Sequence, residues 1–277
     1  MAQFILRVDD YREISELYKN NKIKFSCPAN WCNYADRQKD NFIGDQLECV
    51  FAHLKPDDYR IPDIESLGDT IRRLEDDHDG SYYYQYTPIL VTPSFCFFQY
   101  DVELEEGNEL EMDLNNYSER LGKNDISSLG FLSIYDAKAF EDELYRQVPK
   151  AVSSSKNIIS DGSGRFVNSF DEDHPINYNN IDYFKYDCDD FYYELTNEHL
   201  EMWRKSSRYS FQHEGRITIP HVTFKQEYRD ENYCYKLNQL YVDLPNLHNY
   251  AELYKGNALS KIVFKKENGK IKICFCR

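Results

Sequence analysis

Tyr82-Tyr-Tyr-Gln-Tyr-Thr-Pro88-Ile-Leu-Val-Thr-Pro93-Ser-Phe-Cys-Phe-Phe-Gln-Tyr-Asp-Val102 is the stretch on which the class of fold turns. Aromatic and β-branched side chains dominate it, and these pack best on a pleated surface. Pro88 and Pro93 lack a backbone donor and cannot sit inside a central ladder, so the stretch reads as two strands around a proline-containing bend. With 24 Tyr and 17 Phe, the whole chain has the aromatic supply for sheets over a well-filled interior.

Toward the N-terminus, Phe4 to Val8 reads as a strand and Asp10 to Asn20 as a helix with Ile14, Leu17 and Tyr18 on one face. A second strand, Lys22 to Cys27, is stopped by Pro28, so the chain opens β-α-β. Ile64 to Leu74 carries apolar residues at helical spacing and is expected to be a helix. Toward the C-terminus, Phe131 to Ile134 is a strand candidate. A helix is expected from Asp136, with Phe140, Leu144 and Val148 four residues apart and Pro149 ending it. Phe191 to Trp203 also reads as a helix. Arg216–Ile219, Val222–Phe224, Leu237–Val242, Ile262–Phe264 and Ile271–Phe275 read as strands, the last two joined by the hairpin chemistry of Asn268-Gly269. The expectation is an α+β fold over 1–277 as a single domain, with a long loop or hairpin near 150–180, where Asp, Asn, Gly and Ser concentrate.

Forty-eight acidic against 33 basic residues give a net charge of -15, which opposes non-specific attachment to nucleic acid or an anionic membrane. There is no apolar run of membrane-spanning length and no signal-peptide pattern at the start, so a cytoplasmic location is expected. The eight cysteines form no C-x-x-C pair and read as reduced, mostly buried thiols. The seven histidines have no H-x-x-x-H or H-E-x-x-H spacing, and no metal site is expected. A phosphate-binding G-x-x-x-x-G-K loop and a dinucleotide G-x-G-x-x-G are absent from the sequence, which excludes a P-loop ATPase and a Rossmann dehydrogenase.

The segment with most chemical content is Arg208-Tyr-Ser-Phe-Gln212-His-Glu214-Gly-Arg216-Ile-Thr-Ile219. On an extended chain Gln212 and Glu214 project to the same side. A carboxylate there can hold a ribose hydroxyl and stabilise an oxocarbenium-like transition state, while the amide orients a nucleophile. The plain structural alternative is an ion pair of Glu214 with Arg216 or Arg208. Asp45 and Glu48, three residues apart, offer either paired carboxylates or a helix cap. The clusters Tyr82-Tyr83-Tyr84 and Tyr192-Tyr193 can stack on a nucleobase or pack as sheet and core residues.

The order LRVDDY (6–11), KIKFSCPANW (22–31) and KSSRYSFQHEGRI (205–217) resembles a widespread bacterial family of uncharacterised proteins often found near defence loci. Its members begin with an aromatic-Arg strand, a short helix and an F-S-S-P strand, and end in K-x-x-x-Y-x-x-Q-x-E-x-R-I. That layout is similar to the Arg, Ser and Gln/Glu-x-Glu order of ADP-ribosyltransferases. The resemblance implies a mixed, largely antiparallel curved β-sheet core with peripheral helices, NAD as substrate, and a role as toxin or antiviral defence effector. A macromolecular acceptor, protein or nucleic acid, is implied, together with a possible antitoxin or chaperone partner and no membrane.

By position, the resemblance assigns Arg7 to the NAD pyrophosphate or adjacent ribose and Ser26 to the nicotinamide ribose. Gln212 and Glu214 form the catalytic loop, and Trp31 and Tyr34 lie against the nicotinamide. Phe25-Ser26-Cys27-Pro28 departs from the Ser-Thr-Ser of the transferase pattern. For Arg7 the plain alternative is an ion pair with Asp9 or Asp10. Two other function classes stay open: a non-catalytic sensor or toxin-antitoxin component, and a magnesium-dependent nuclease built on Asp45, Glu48 and another carboxylate.

Overall fold

The computed structural model describes residues 4–30, 49–75, 79–100, 105–113, 126–159, 170–184, 191–192, 204–206, 214–224, 239–256 and 261–276. Within them the chain runs β1 (Phe4–Asp10), α1 (Tyr11–Lys19), β2 (Lys22–Phe25), β3 (Val50–Leu54), α2 (Ile61–Glu65), β4 (Ile71–Glu75), β5 (Tyr82–Tyr86), α3 (Thr87–Leu90) and β6 (Ser94–Tyr100). It continues through β7 (Glu109–Asp113), β8 (Leu129–Ile134), α4 (Ala137–Ser154), β9 (Ile158–Ile159), β10 (Asn177–Asn180), β11 (Asp182–Phe184), β12 (Phe191–Tyr192) and β13 (Arg204–Ser206). β14 (Glu214–Thr218), β15 (Thr223–Phe224), β16 (Leu240–Asp243), α5 (Leu247–Tyr250), β17 (Ala251–Lys255), β18 (Lys261–Glu267) and β19 (Lys270–Cys276) complete it. The fold is mixed α+β, and among the described residues every pairing except β11 with β13 is antiparallel.

Residues 82–100 of that stretch form β5, a proline-started turn and β6, and β6 faces both larger cores. It lies inside a six-stranded sheet in the order β10-β14-β6-β1-β8-β17. Phe95 and Phe97 enter one core and Phe98 another, which is why this strand lacks polar alternation. On the first face Ile14 of α1, Phe140, Leu144 and Val148 of α4, and Leu247 and Tyr250 of α5 close the larger core. On the second, the sheet β19-β18-β7 covers Phe4, Leu6 and Phe131 with Ile262, Phe264, Ile271 and Ile273. A separate sheet, β12-β3-β5-β4, has its own cluster around Phe51, Leu54, Ile64 and Tyr84.

Helix α1 is capped by Asp10, whose carboxylate accepts from the Arg12 and Glu13 amides at 2.9 and 3.4 Å. It lies against β8 at Gly130, where a Cβ would overlap Ile14 Cγ2 and stand 3.1 Å from Tyr11 Cα. That close approach requires glycine. We expect Gly130→Val to destabilise the fold by about 1–3 kcal/mol through forced displacement of α1. Chemical denaturation reads this directly, and an unchanged midpoint would contradict the packing described.

Three expectations are corrected. Ile64 to Leu74 is not one helix: α2 ends at Glu65, Gly68 takes φ +60°, and Ile71 to Glu75 pair with β5 as a strand. Hydrogen bonding to an existing strand prevails over the apolar spacing. Pro149 does not end α4, which continues to Ser154, because Val148 and Val152 on either side of it are buried and hold the helix across the missing donor. Phe191 and Tyr192 pair with β3 as a strand, and 193–203 lie outside the described residues. The hairpin at Asn268-Gly269 has positive φ at both positions, as its sequence demands. The segment Ser160 to Gly164 lies outside the described residues, while β10 joins the central sheet. Of the cysteines whose side chains are described, Cys27 and Cys49 are buried, Cys96 is half-buried and Cys274 is exposed.

Candidate functional site

Strand β6 gathers the elements that carry Arg7, Ser26 and Glu214. On one edge it pairs with β14 from Ser94↔Thr218 to Glu214↔Phe98. On the other it pairs with β1 only as far as Leu6↔Phe98, and Ser26 then bridges Ser94, with N···O distances of 2.9 and 2.6 Å. β1 and β2 therefore fork away from each other along the same edge of β6. Arg7 enters that fork. Its Nη1 donates to the Cys96 carbonyl at 2.5 Å, which supplies a donor at the point where the β1 ladder ends, and its guanidinium lies 5.5 Å from the Phe95 ring centre.

The pleat decides which side chains share a face. Leu6, Phe98 and Glu214 are successive register partners and point the same way. Ser26 lies opposite Ser94, two and four residues from Cys96 and Phe98, and so falls on the Glu214 face. Arg7, paired with Leu132, leaves β1 on the other face, toward α1. Ser26 and Glu214 thus flank β6 on one side, and Arg7 reaches the same strand from the opposite side through the fork.

Both plain alternatives raised by the sequence are realised. Arg7 Nη2 pairs with Asp9 Oδ2 at 2.7 Å, and Arg216 Nη2 pairs with Glu214 Oε1 at 2.8 Å. Glu214 is 8% exposed and Arg216 fully buried. Ser26 Oγ accepts from Asn30 Nδ2 at 2.9 Å. Gln212, Trp31, Tyr34, Asp45 and Glu48 lie outside the described residues. A pocket between α1, β1 and β2 is lined by Arg7, Asp9, Lys24, Phe95 and Leu132. Its charges are matched: Lys24 pairs with Glu13.

Burial works against the charge on Arg7, but Asp9, then Cys96 and Glu214, more than offset it and raise its pKa above the ordinary arginine value. Burial likewise opposes ionisation of Asp9, yet the Arg7 and Lys24 charges outweigh it and hold Asp9 below the usual carboxylate range. A carboxylate depressed in the folded state stabilises the fold above its unfolded pKa and loses that contribution as pH falls through the folded value. We therefore expect circular dichroism to show stability declining below about pH 4, and Asp9→Asn to flatten that decline. Superimposable acid profiles for the two proteins would remove Asp9 from the account.

Tyr82, Tyr83 and Tyr84 lie on β5 and Tyr192 on β12, while Tyr193 lies outside the described residues. Tyr83 stacks on His53 with ring centres 4.2 Å apart, and Tyr84 is fully buried. Tyr192 is faced by Arg60, whose guanidinium is held by both oxygens of Asp58 at 2.8 and 2.6 Å.

Sequence reasoning missed Glu143. It is 1% exposed on α4 and accepts from the Asn246 amide at 3.2 Å, Asn246 Nδ2 at 2.9 Å and the Tyr250 hydroxyl at 2.5 Å. Its position three residues after Phe140 puts it on the apolar stripe of the helix, a signal that was available. No family model, curated protein or solved structure matches this chain.

Proposed function

We propose that the chain is an ADP-ribosyltransferase-like enzyme that uses NAD to modify a macromolecule, as a bacterial toxin or antiviral defence effector in the cytoplasm. The observation that carries this reading is the meeting of three segments on β6: Ser26 and Glu214 flank it on one face, and Arg7 enters through the fork between β1 and β2. In this reading the antiparallel central sheet is the curved core of the transferase fold. Glu214 hydrogen-bonds the nicotinamide ribose, an interaction that strengthens as positive charge develops at the anomeric carbon. The glycosidic C–N bond breaks, and nicotinamide leaves as a neutral molecule with the electron pair. The acceptor nucleophile, oriented by Gln212, forms the new bond and releases its proton. Ser26 braces the nicotinamide ribose, Trp31 and Tyr34 lie against the nicotinamide, and Arg7, which leaves β1 on the face opposite Glu214, reaches the pyrophosphate or adjacent ribose only through the fork.

The test is incubation of the purified chain with labelled NAD and a cell lysate. Release of nicotinamide or labelling of an acceptor is expected; absence of both across a range of lysates would overturn the reading. One observation favours a second reading, a non-catalytic interaction component: Glu214 and Arg7 each engage a charged partner within their own strand. That reading expects no consumption of NAD and a biological effect indifferent to Glu214.

A further inference from the structure

Resting on the transferase reading, we infer that Arg216 is the positioning residue of Glu214, fixing the direction of its carboxylate and supplying the compensating charge that an anion at this depth requires. The two residues are two apart on β14 and share a face. Nη2 of Arg216 meets Oε1 of Glu214 at 2.8 Å, with the arginine side chain fully buried and the glutamate at 8% exposure. Burial on its own drives a carboxylate toward its neutral form, and a neutral acid cannot stabilise a developing oxocarbenium charge. A guanidinium remains charged at any physiological pH and presents its donors in a rigid plane, so it defines both the charge and the angle of the group it binds.

Strands β6, β1 and β10 lie around the pair. From β6, Cys96 is the register partner of Arg216. From β1, Arg7 senses the Glu214 charge, but as the last of its charge partners. β10, paired along the far edge of β14, consists of three Asn and one Tyr and carries no charged side chain.

The experiment compares wild type, Arg216→Met, Arg216→Lys and Glu214→Gln, all as the full chain. Nicotinamide release is measured against NAD concentration, and the Glu214 carboxyl carbon is titrated by carbon-13 NMR, its signal identified by its loss in Glu214→Gln. Arg216→Met is expected to lower kcat by about tenfold or more while KM for NAD stays within about threefold. The carboxyl titration should move up by about one pH unit or more. Arg216→Lys keeps the charge and should return the titration to its wild-type position, with kcat intermediate because an ammonium cannot reproduce the planar hold. A folded Arg216→Met with unchanged kcat and titration overturns the inference. If that variant does not fold, Arg216→Lys decides: wild-type kcat would overturn it equally. The two failures separate cleanly. A wild type that releases no nicotinamide sinks the transferase reading, whereas the NMR titration still decides whether Arg216 governs Glu214.

Discussion

Glu214→Gln is expected to slow nicotinamide release by about two to three orders of magnitude, the scale on which removal of one preorganised transition-state contact is felt. The substitution keeps the size of the side chain and removes its charge. The amide oxygen can still accept from Arg216, whose partner Oε1 stands 2.8 Å away in the wild type. The buried guanidinium nevertheless loses its counter-charge, at a cost of about 1–3 kcal/mol. Melting temperature must therefore be read beside activity, so that a lost reaction is distinguished from a lost fold. A folded Glu214→Gln protein releasing nicotinamide at close to the wild-type rate would remove Glu214 from catalysis. It would leave the ion pair as a structural feature of β14.

The largest effect on stability is expected at Glu143. Replacing it by Ala leaves the Asn246 amide, Asn246 Nδ2 and the Tyr250 hydroxyl without their acceptor in a region that water reaches poorly. Each buried donor left unsatisfied costs about 1–3 kcal/mol, so the three together, after partial relaxation, cost about 3–5 kcal/mol, which for a chain of this size lowers the melting temperature by about 10 °C. Burial and the bond to Glu143 both push the Tyr250 hydroxyl far above its ordinary pKa, so this tyrosine acts as a donor throughout the accessible pH range. Glu143→Gln retains an acceptor for Asn246 and is expected to cost about 1–2 kcal/mol. Because 246–250 lead directly into β17, amide exchange along Ala251–Lys255 should accelerate in Glu143→Ala. Equal melting temperatures for Glu143→Ala and wild type would show that the network contributes nothing to the fold.

The nature of the difference between expectation and structure is clearest at particular elements. Pro88 and Pro93 exclude a continuous ladder on steric grounds that hold in any context, and β5, the turn and β6 appear where the sequence puts them. Asn268-Gly269 likewise specifies its own hairpin. Ile64 to Leu74 did not declare itself in the same way, since its apolar spacing suits a helix face and is equally served by a short helix followed by a strand. Only the availability of β5 as a hydrogen-bonding neighbour settles that choice. β3, β7 and β17 were not legible for a related reason: Val50–Leu54 is too short for a periodic signal, and Glu109–Asp113 and Ala251–Lys255 are too polar to be read as strands alone.

For the candidate site, the sequence by itself determined the residue types and their local pairings. Arg7 with Asp9 and Glu214 with Arg216 are two residues apart on extended chain, and period-two geometry suffices to put each pair on one side. Local sterics and side-chain alternation act over a few residues and are written wholly in the chain. Tertiary structure alone decided that β1, β2 and β14 all meet β6, that β1 and β2 fork on its edge, and that Arg7 and Glu214 leave opposite faces of one sheet. It also decided that Glu143 is buried with three donors around it. These depend on register between segments about 70 to 130 residues apart. A shift of one residue in such a register moves every side chain to the other face, and no local pattern encodes it.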